Sequence, residues 1–148
     1  MLKILAPLGL ALLLTTSLHA QTEIDWDNAQ YRITLPSENR GGKTGWFIVS
    51  ALRPGGPPRH VHHDADEYMH VLDGRVRCEI DGEISEHGIG EMVYIPRGSV
   101  HTFRIISERG GSMLVTVSPS GFERFFEVVS AQGLNLSDDM GRIREIAA

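Results

Sequence analysis

His60-Val61-His62, then Glu67, then His101 much further on, constrain this chain more than anything else in it. Adjacent residues of a strand point to opposite faces, and residues two apart share one. A His-x-His pair on a strand therefore aims two imidazoles at one point. Three imidazoles and a carboxylate are a natural ligand set for a divalent transition metal. Imidazole suits borderline ions, and the carboxylate supplies one compensating charge. Turn residues punctuate the set: Gly74 follows Glu67, and Gly90, Pro96, Gly98 and His101 fall at the spacing G-x5-P-x-G-x2-H.

This arrangement resembles the two motifs of the cupin superfamily. The first, G-x5-H-x-H-x3,4-E-x6-G, is met by His60, His62, Glu67 and Gly74, with Pro54 where the leading glycine would fall. The second, G-x5-P-x-G-x2-H-x3-N, is met by Gly90, Pro96, Gly98 and His101, with Ile105 in place of the closing asparagine. The fifteen residues between Gly74 and Gly90 (90 − 74 − 1) are the short spacing of small single-domain cupins. The Gly-Gly-Pro-Pro stretch before His60 and the Gly121-Phe122-Glu123-Arg124-Phe125-Phe126 run resemble the quercetin (flavonol) dioxygenase-like group, over roughly Trp46 to Arg144.

The resemblance implies an all-β double-stranded β-helix, or jelly-roll barrel, with C-terminal helices. It implies one divalent transition metal on His60, His62, Glu67 and His101, which Fe, Mn, Ni, Co, Cu or Zn could each satisfy. It further implies a metal-dependent dioxygenase acting with O2 on a small enolic or phenolic molecule. Glu67 would then double as general base, as the matching glutamate does in flavonol dioxygenases. One fold hosts many chemistries, so two alternatives stay open: a non-catalytic binding or sensing cupin, and a metal-dependent lyase or isomerase.

Read without the resemblance, the chain is still mostly short strands between Gly and Pro turns, the pattern of a sandwich or barrel. Strands are expected over residues 31–35, 46–52, 67–72, 75–80, 83–86, 92–95, 100–106 and 113–117. Asp73-Gly74 and Asp81-Gly82 are hairpin signals. Strand parity from the ligands predicts an apolar wall beside the metal: Met69 and Val71 share a face with Glu67, and Phe103 and Ile105 share one with His101. Such a wall suits a flat apolar ligand, or simply fills a small barrel. The same parity turns His63 and His70 away from the ligands, and His87 reads as a solvated loop residue.

After the barrel the period changes. Ser120 to Glu123 has capping-box spacing, Phe122, Phe125, Phe126 and Val129 share a helical face, and Gly133 is a natural stop. A second helix is expected from about Asp138, carrying Met140, Ile143 and Ile146. These helices are read as covering an open end of the barrel. The phenylalanine face could instead line a pocket entrance or form a homodimer contact.

Residues 1–20 read as a signal peptide, with Lys3 as the positive region, an apolar stretch from Ile4 to Leu14 and a cleavage site after Ala20. Residues 21–148 then form one domain, with a barrel core of about 44–118 and a helical tail over 120–148. Removing Lys3 takes the net charge from −5 to 13 − 19 = −6, so nucleic acid is an unsuitable partner, and no second apolar segment suggests a membrane span. Cys78 is the only cysteine, so no intrachain disulfide can form and the thiol reads as a buried structural one. The chain is expected in the periplasm or medium. Mass spectrometry of exported protein should show a chain starting at Gln21; intact Met1 in the cytoplasm would overturn that expectation.

Overall fold

In a computed structural model of the protein, residues 21–35 and 41–147 are described, and the expected signal peptide lies outside them. The described residues form β1 (Thr22–Trp26), β2 (Ala29–Leu35), β3 (Gly45–Ala51), β4 (His60–Val61), β5 (Asp66–Asp73) and β6 (Arg75–Ile80). They continue as β7 (Glu83–Gly88), β8 (Met92–Ile95), β9 (Val100–Ile105), β10 (Gly111–Ser118), α1 (Glu123–Ala131) and α2 (Met140–Ala147). One sheet has the order β1-β2-β3-β10-β5-β8 and the other β4-β9-β6-β7. Every pairing is antiparallel, and the whole is a jelly roll.

Alternating side chains make the core. Along β10, Met113, Val115 and Val117 are buried while Ser112, Leu114 and Thr116 are more exposed. Glu67, Met69 and Val71 do the same on β5, and Val76 and Cys78 on β6. Burial pushes the Cys78 thiol up to about 11, so it stays an inert thiol packed between the sheets.

The strands expected from the sequence are present, with ends moved by a residue or two. One pair is an addition: β1 precedes β2 in a hairpin whose turn residues Asp27 and Asn28 have φ of 47° and 68°. That is the twist-matched turn of a tight hairpin, made here without the glycine that usually marks it. His87, expected in a loop, belongs to β7 opposite Val76, and its Nε2 lies 2.8 Å from Ser85 Oγ. The Glu83–Gly88 run is exposed on both faces for most of its length, so it lacks the alternation that would have announced a longer strand.

The first helix starts later than the capping-box spacing predicts, at Glu123, with no side-chain cap. The Ser120 N–H donates to Gly42 O instead, at 3.2 Å. The Glu123 carboxylate accepts from the Gly121 N–H at 2.9 Å and lies over Gly45, where a Cβ would come within 2.3 Å of Oε2. The Ser120 N–H and the Glu123 carboxylate are thus engaged elsewhere, the Ser120 hydroxyl is buried without a partner among the described residues, and the reciprocal box does not form. The stop at Gly133 is as expected: Leu134 N–H reaches Val129 O, and Gly133 N–H reaches Ser130 O, the Schellman pair.

The first helix packs on β1 and β3 of the six-stranded sheet, and α2 packs on α1. Phe126 stacks on Tyr31 with ring centroids 3.9 Å apart and meets Phe47 edge-on at 5.1 Å. Phe125 meets Trp26 edge-on at 5.5 Å, and the Trp26 indole N–H donates to Leu134 O at 2.6 Å. The phenylalanine face is therefore turned into the molecule.

Gly110, in the turn into β10, has φ +79°, and a Cβ there would sit 1.8 Å from Ala51 O. Gly110→Ala combines left-handed strain with a backbone clash and should cost about 2–4 kcal/mol in urea unfolding. Gly82→Ala, with φ +89° and nothing within 4 Å, should cost only about 1–2 kcal/mol. Equal losses would show that the close approach to Ala51 contributes nothing.

Candidate metal centre and its cavity

The fold brings His60, His62, Glu67 and His101 together, with one ligand atom from each lying within 4.8 Å of all the others. Both sheets contribute. His60 on β4 sits directly opposite His101 on β9, and Glu67 arrives from β5 in the facing sheet. His62 lies just past β4. The first and second motifs are tied directly, since Gly98 N–H donates to His62 O at 2.8 Å. A second tie runs from Asp66, whose carboxylate accepts from the Arg97 backbone N–H at 3.0 Å and from its guanidinium at 2.8 Å. Those contacts hold the Asp66 carboxyl down to about 2. They fasten the strand that carries Glu67 to the turn that introduces His101.

The chemistry of the donors fits a cation. His60 Nδ1 and His101 Nδ1 each lie 3.0 Å from a backbone carbonyl, Pro58 O and Ser99 O respectively. A carbonyl only accepts, so both Nδ1 atoms carry the proton, and each neutral ring presents a lone pair at Nε2. Yet His101 Nε2 is 3.0 Å from Glu67 Oε2, and His62 Nε2 is 3.4 Å from that same oxygen. Lone pairs facing a buried carboxylate repel unless positive charge lies among them. Either a second proton on an imidazole or a metal ion supplies it. His62 Nε2 is also buried without a hydrogen-bond partner.

The titration behaviour follows from this crowding. Burial drives the His60 imidazole down to about 4, with His101 beside it adding to the effect. For Glu67, burial pushes the carboxyl up, but the contacts from His101 and His62 outweigh it and hold it to about 2. For His101, burial is overcome by Glu67, and the imidazole is raised. Neutral His60 and ionised Glu67 are the forms a metal needs.

The centre opens into a cavity of about 150 Å³. Glu67 and His60 line its inner end. Trp26, Tyr31, Phe47 and Phe103 form the barrel side, and Phe122 at the N-cap of α1, with Phe125 and Phe126 within it, closes the other. Phe122 also packs edge-on against His62, with centroids 4.2 Å apart. Of the four residues expected to form the wall, Phe103 lines this cavity. Ile105 borders a neighbouring groove, and Met69 and Val71 are fully buried in the core. Parity does place all four inward, but each two-residue step along a strand moves about 6.6 Å away from the ligand. Met69 and Val71 thus fill the barrel behind the centre. The walls come instead from side chains distant in sequence, of which only the phenylalanine face of α1 was visible as a pattern. His63, His70 and His87 lie outside the cluster.

The comparisons agree with this geometry. Residues 48–117 match the family model described as a cupin domain. The chain is 26% identical over 110 residues to a Streptomyces cyaneus protein described as polyketide synthase CurC, covering 74% of this chain and 71% of that one. It is 37% identical over 73 residues to quercetin 2,3-dioxygenase of Bacillus subtilis (strain 168), covering 47% of this chain but 22% of that enzyme. The solved structure of KdgF from Halomonas sp. superposes with a TM-score of 0.60 at 17% identity, covering 72% of this chain and 93% of that one. The protein is a β-barrel of the jelly-roll kind with a centre able to hold a metal. It belongs to the cupin superfamily.

Replacing His62 or His101 by Ala should sharply reduce the metal found by elemental analysis, whereas His70→Ala and His87→Ala should leave it unchanged. Because a ligand bound only to the folded state stabilises it, chelation should lower Tm in the wild type and not in the His101 variant. Equal metal content in the His101 variant and wild type would remove the assignment.

Proposed function

We propose that this protein is an exported metal-dependent dioxygenase acting on a small enolic or phenolic molecule. The observation that carries the reading is the opening of a cation-demanding His3Glu cluster onto an aromatic-walled cavity. A divalent transition metal held by His60, His62, Glu67 and His101 would supply a Lewis acid with open positions and, if redox-active, access to O2. The chain's own residues do the rest. The phenylalanines of α1 and the barrel wall exclude water and present flat faces to a ring. Glu67 reaches the inner end of the cavity and is ionised, so its carboxylate can accept the hydroxyl proton of the substrate.

Size limits the substrate. A cavity near 150 Å³ holds one benzene-sized ring, so the shared motifs with a flavonol-cleaving enzyme support the chemistry and not the three-ring substrate. The same donor set and aromatic cavity also fit a second reading, in which the centre holds a ligand without turnover.

Glu67→Gln separates the two. It keeps an oxygen near the centre but removes the charge and the proton acceptor. In an oxygenase, turnover should fall by about 10²–10⁴ while metal affinity falls modestly, measured as O2 consumption at matched metal loading. Near wild-type turnover in the variant would end the base role. Product formed without O2 uptake would point to a lyase or isomerase, and ligand binding with no product to the binding reading.

A further inference from the structure

Two arginines stand where the cavity meets solvent. Arg59, next to His60, and Arg144 on α2 both line it, and both are exposed. In a chain with 19 acidic residues against 14 basic ones, a pair of cations at one opening is not what the average surface supplies. The two differ. The Arg59 guanidinium lies 2.5 Å from the Glu79 carboxylate and is largely committed to it. Arg144 has no ion pair or hydrogen bond among the described residues, and its neighbour Glu145 is taken by Arg142 at 2.8 Å. As the basic residue of the last turn of α2, Arg144 offsets the helix dipole. That role uses its charge but leaves the guanidinium's planar fork of donors unfilled. Glu67 is the single carboxylate among the cavity's lining residues, and it is engaged at the far end by imidazoles. A molecule entering therefore meets a cationic rim, then aromatic walls, then the ligand cluster.

We infer that the ligand is a monocyclic hydroxy-aromatic or enolic carboxylic acid, with its hydroxyl towards His60 and Glu67 and its carboxylate on Arg144. Arg144 is thus a specificity-determining residue. The inference rests on the small-phenol reading of the site given above and adds the charged group to it. A guanidinium matches a carboxylate through two parallel hydrogen bonds, which a neutral ester cannot reproduce. The volume of about 150 Å³ admits one ring and leaves no room for a long spacer, so the acid belongs on the ring opposite the hydroxyl.

The test compares 4-hydroxybenzoate with its methyl ester by titration calorimetry on the metal-loaded full chain. Wild type should bind the acid more tightly than the ester, and added salt should narrow the difference. Arg144→Ala should weaken the acid about tenfold and leave the ester unchanged, with Arg144→Lys recovering part of the loss. Tm should move by at most a few degrees, since the exposed side chain gives up only its charge at the end of α2. Acid and ester bound equally by wild type, or weakened equally by Arg144→Ala, would overturn the inference and leave Arg144 a helix-end charge. If wild type binds neither compound, the small-phenol reading itself fails, and this inference falls with it.

Discussion

The contact between Glu67 Oε2 and His101 Nε2, at 3.0 Å in a buried site, is the constraint on which the rest of this structure turns. The Ser99 carbonyl accepts from the other ring nitrogen, so the contact sets lone pair against carboxylate unless the imidazole carries a second proton, the form that Glu67 favours. Such a pair in a poorly solvated interior is strongly unfavourable without intervening positive charge. The barrel nonetheless presses three imidazoles around that one carboxylate and closes the space with aromatic rings. Packing that would be a fault in a structural core is what a metal centre requires: donors pre-aimed and dry, with their outer nitrogens anchored.

Holding the donors there falls to the strand framework. Glu67 belongs to one sheet and His60 and His101 to the other, so any slippage between sheets would open the cluster. The Gly98–His62 backbone bond and the Asp66–Arg97 pair oppose that slippage from two sides. The pair is exposed and screened, so its role is better seen as fixing the turn that delivers His101 than as a large stabilising contribution. The backbone bond is the stiffer tie. It joins the loop after β4 to the turn before β9, the two segments whose relative position sets the imidazole separation.

The metal ligands were legible in the sequence because they cluster in short motifs with fixed parity. His60 and His62 share a face by alternation alone, and the Pro96-Arg97-Gly98 turn fixes the entry of His101. The β1–β2 hairpin was not legible, since Asp27-Asn28 carries none of the usual turn glycine and β1 begins soon after the apolar stretch from Ile4 to Leu14. The capping box failed because the Ser120 N–H is taken by the distant Gly42 O and the Glu123 carboxylate by the Gly121 N–H, contacts that the spacing alone does not show. The cavity wall failed for a geometric one. Alternation says which face a residue occupies but not how far along the barrel it sits, so Met69 and Val71 passed for wall when they fill the core.

That last distinction bears on how the family resemblance should be used. The motifs shared with flavonol dioxygenases lie on the strands that build the centre, and there the likeness is a statement about donors. Phe103 and Arg59, within residues 48–117 of the cupin-domain match, also line the cavity. Much of its wall comes from elsewhere: Trp26 and Tyr31 from the N-terminal hairpin, Phe122, Phe125 and Phe126 from the start of α1, and Arg144 from α2. None of these six lies within that span. The barrel therefore supplies a general-purpose centre, and the segments at either end of the chain decide what reaches it. Much of the cavity wall in this protein is built from parts that the family motifs do not cover.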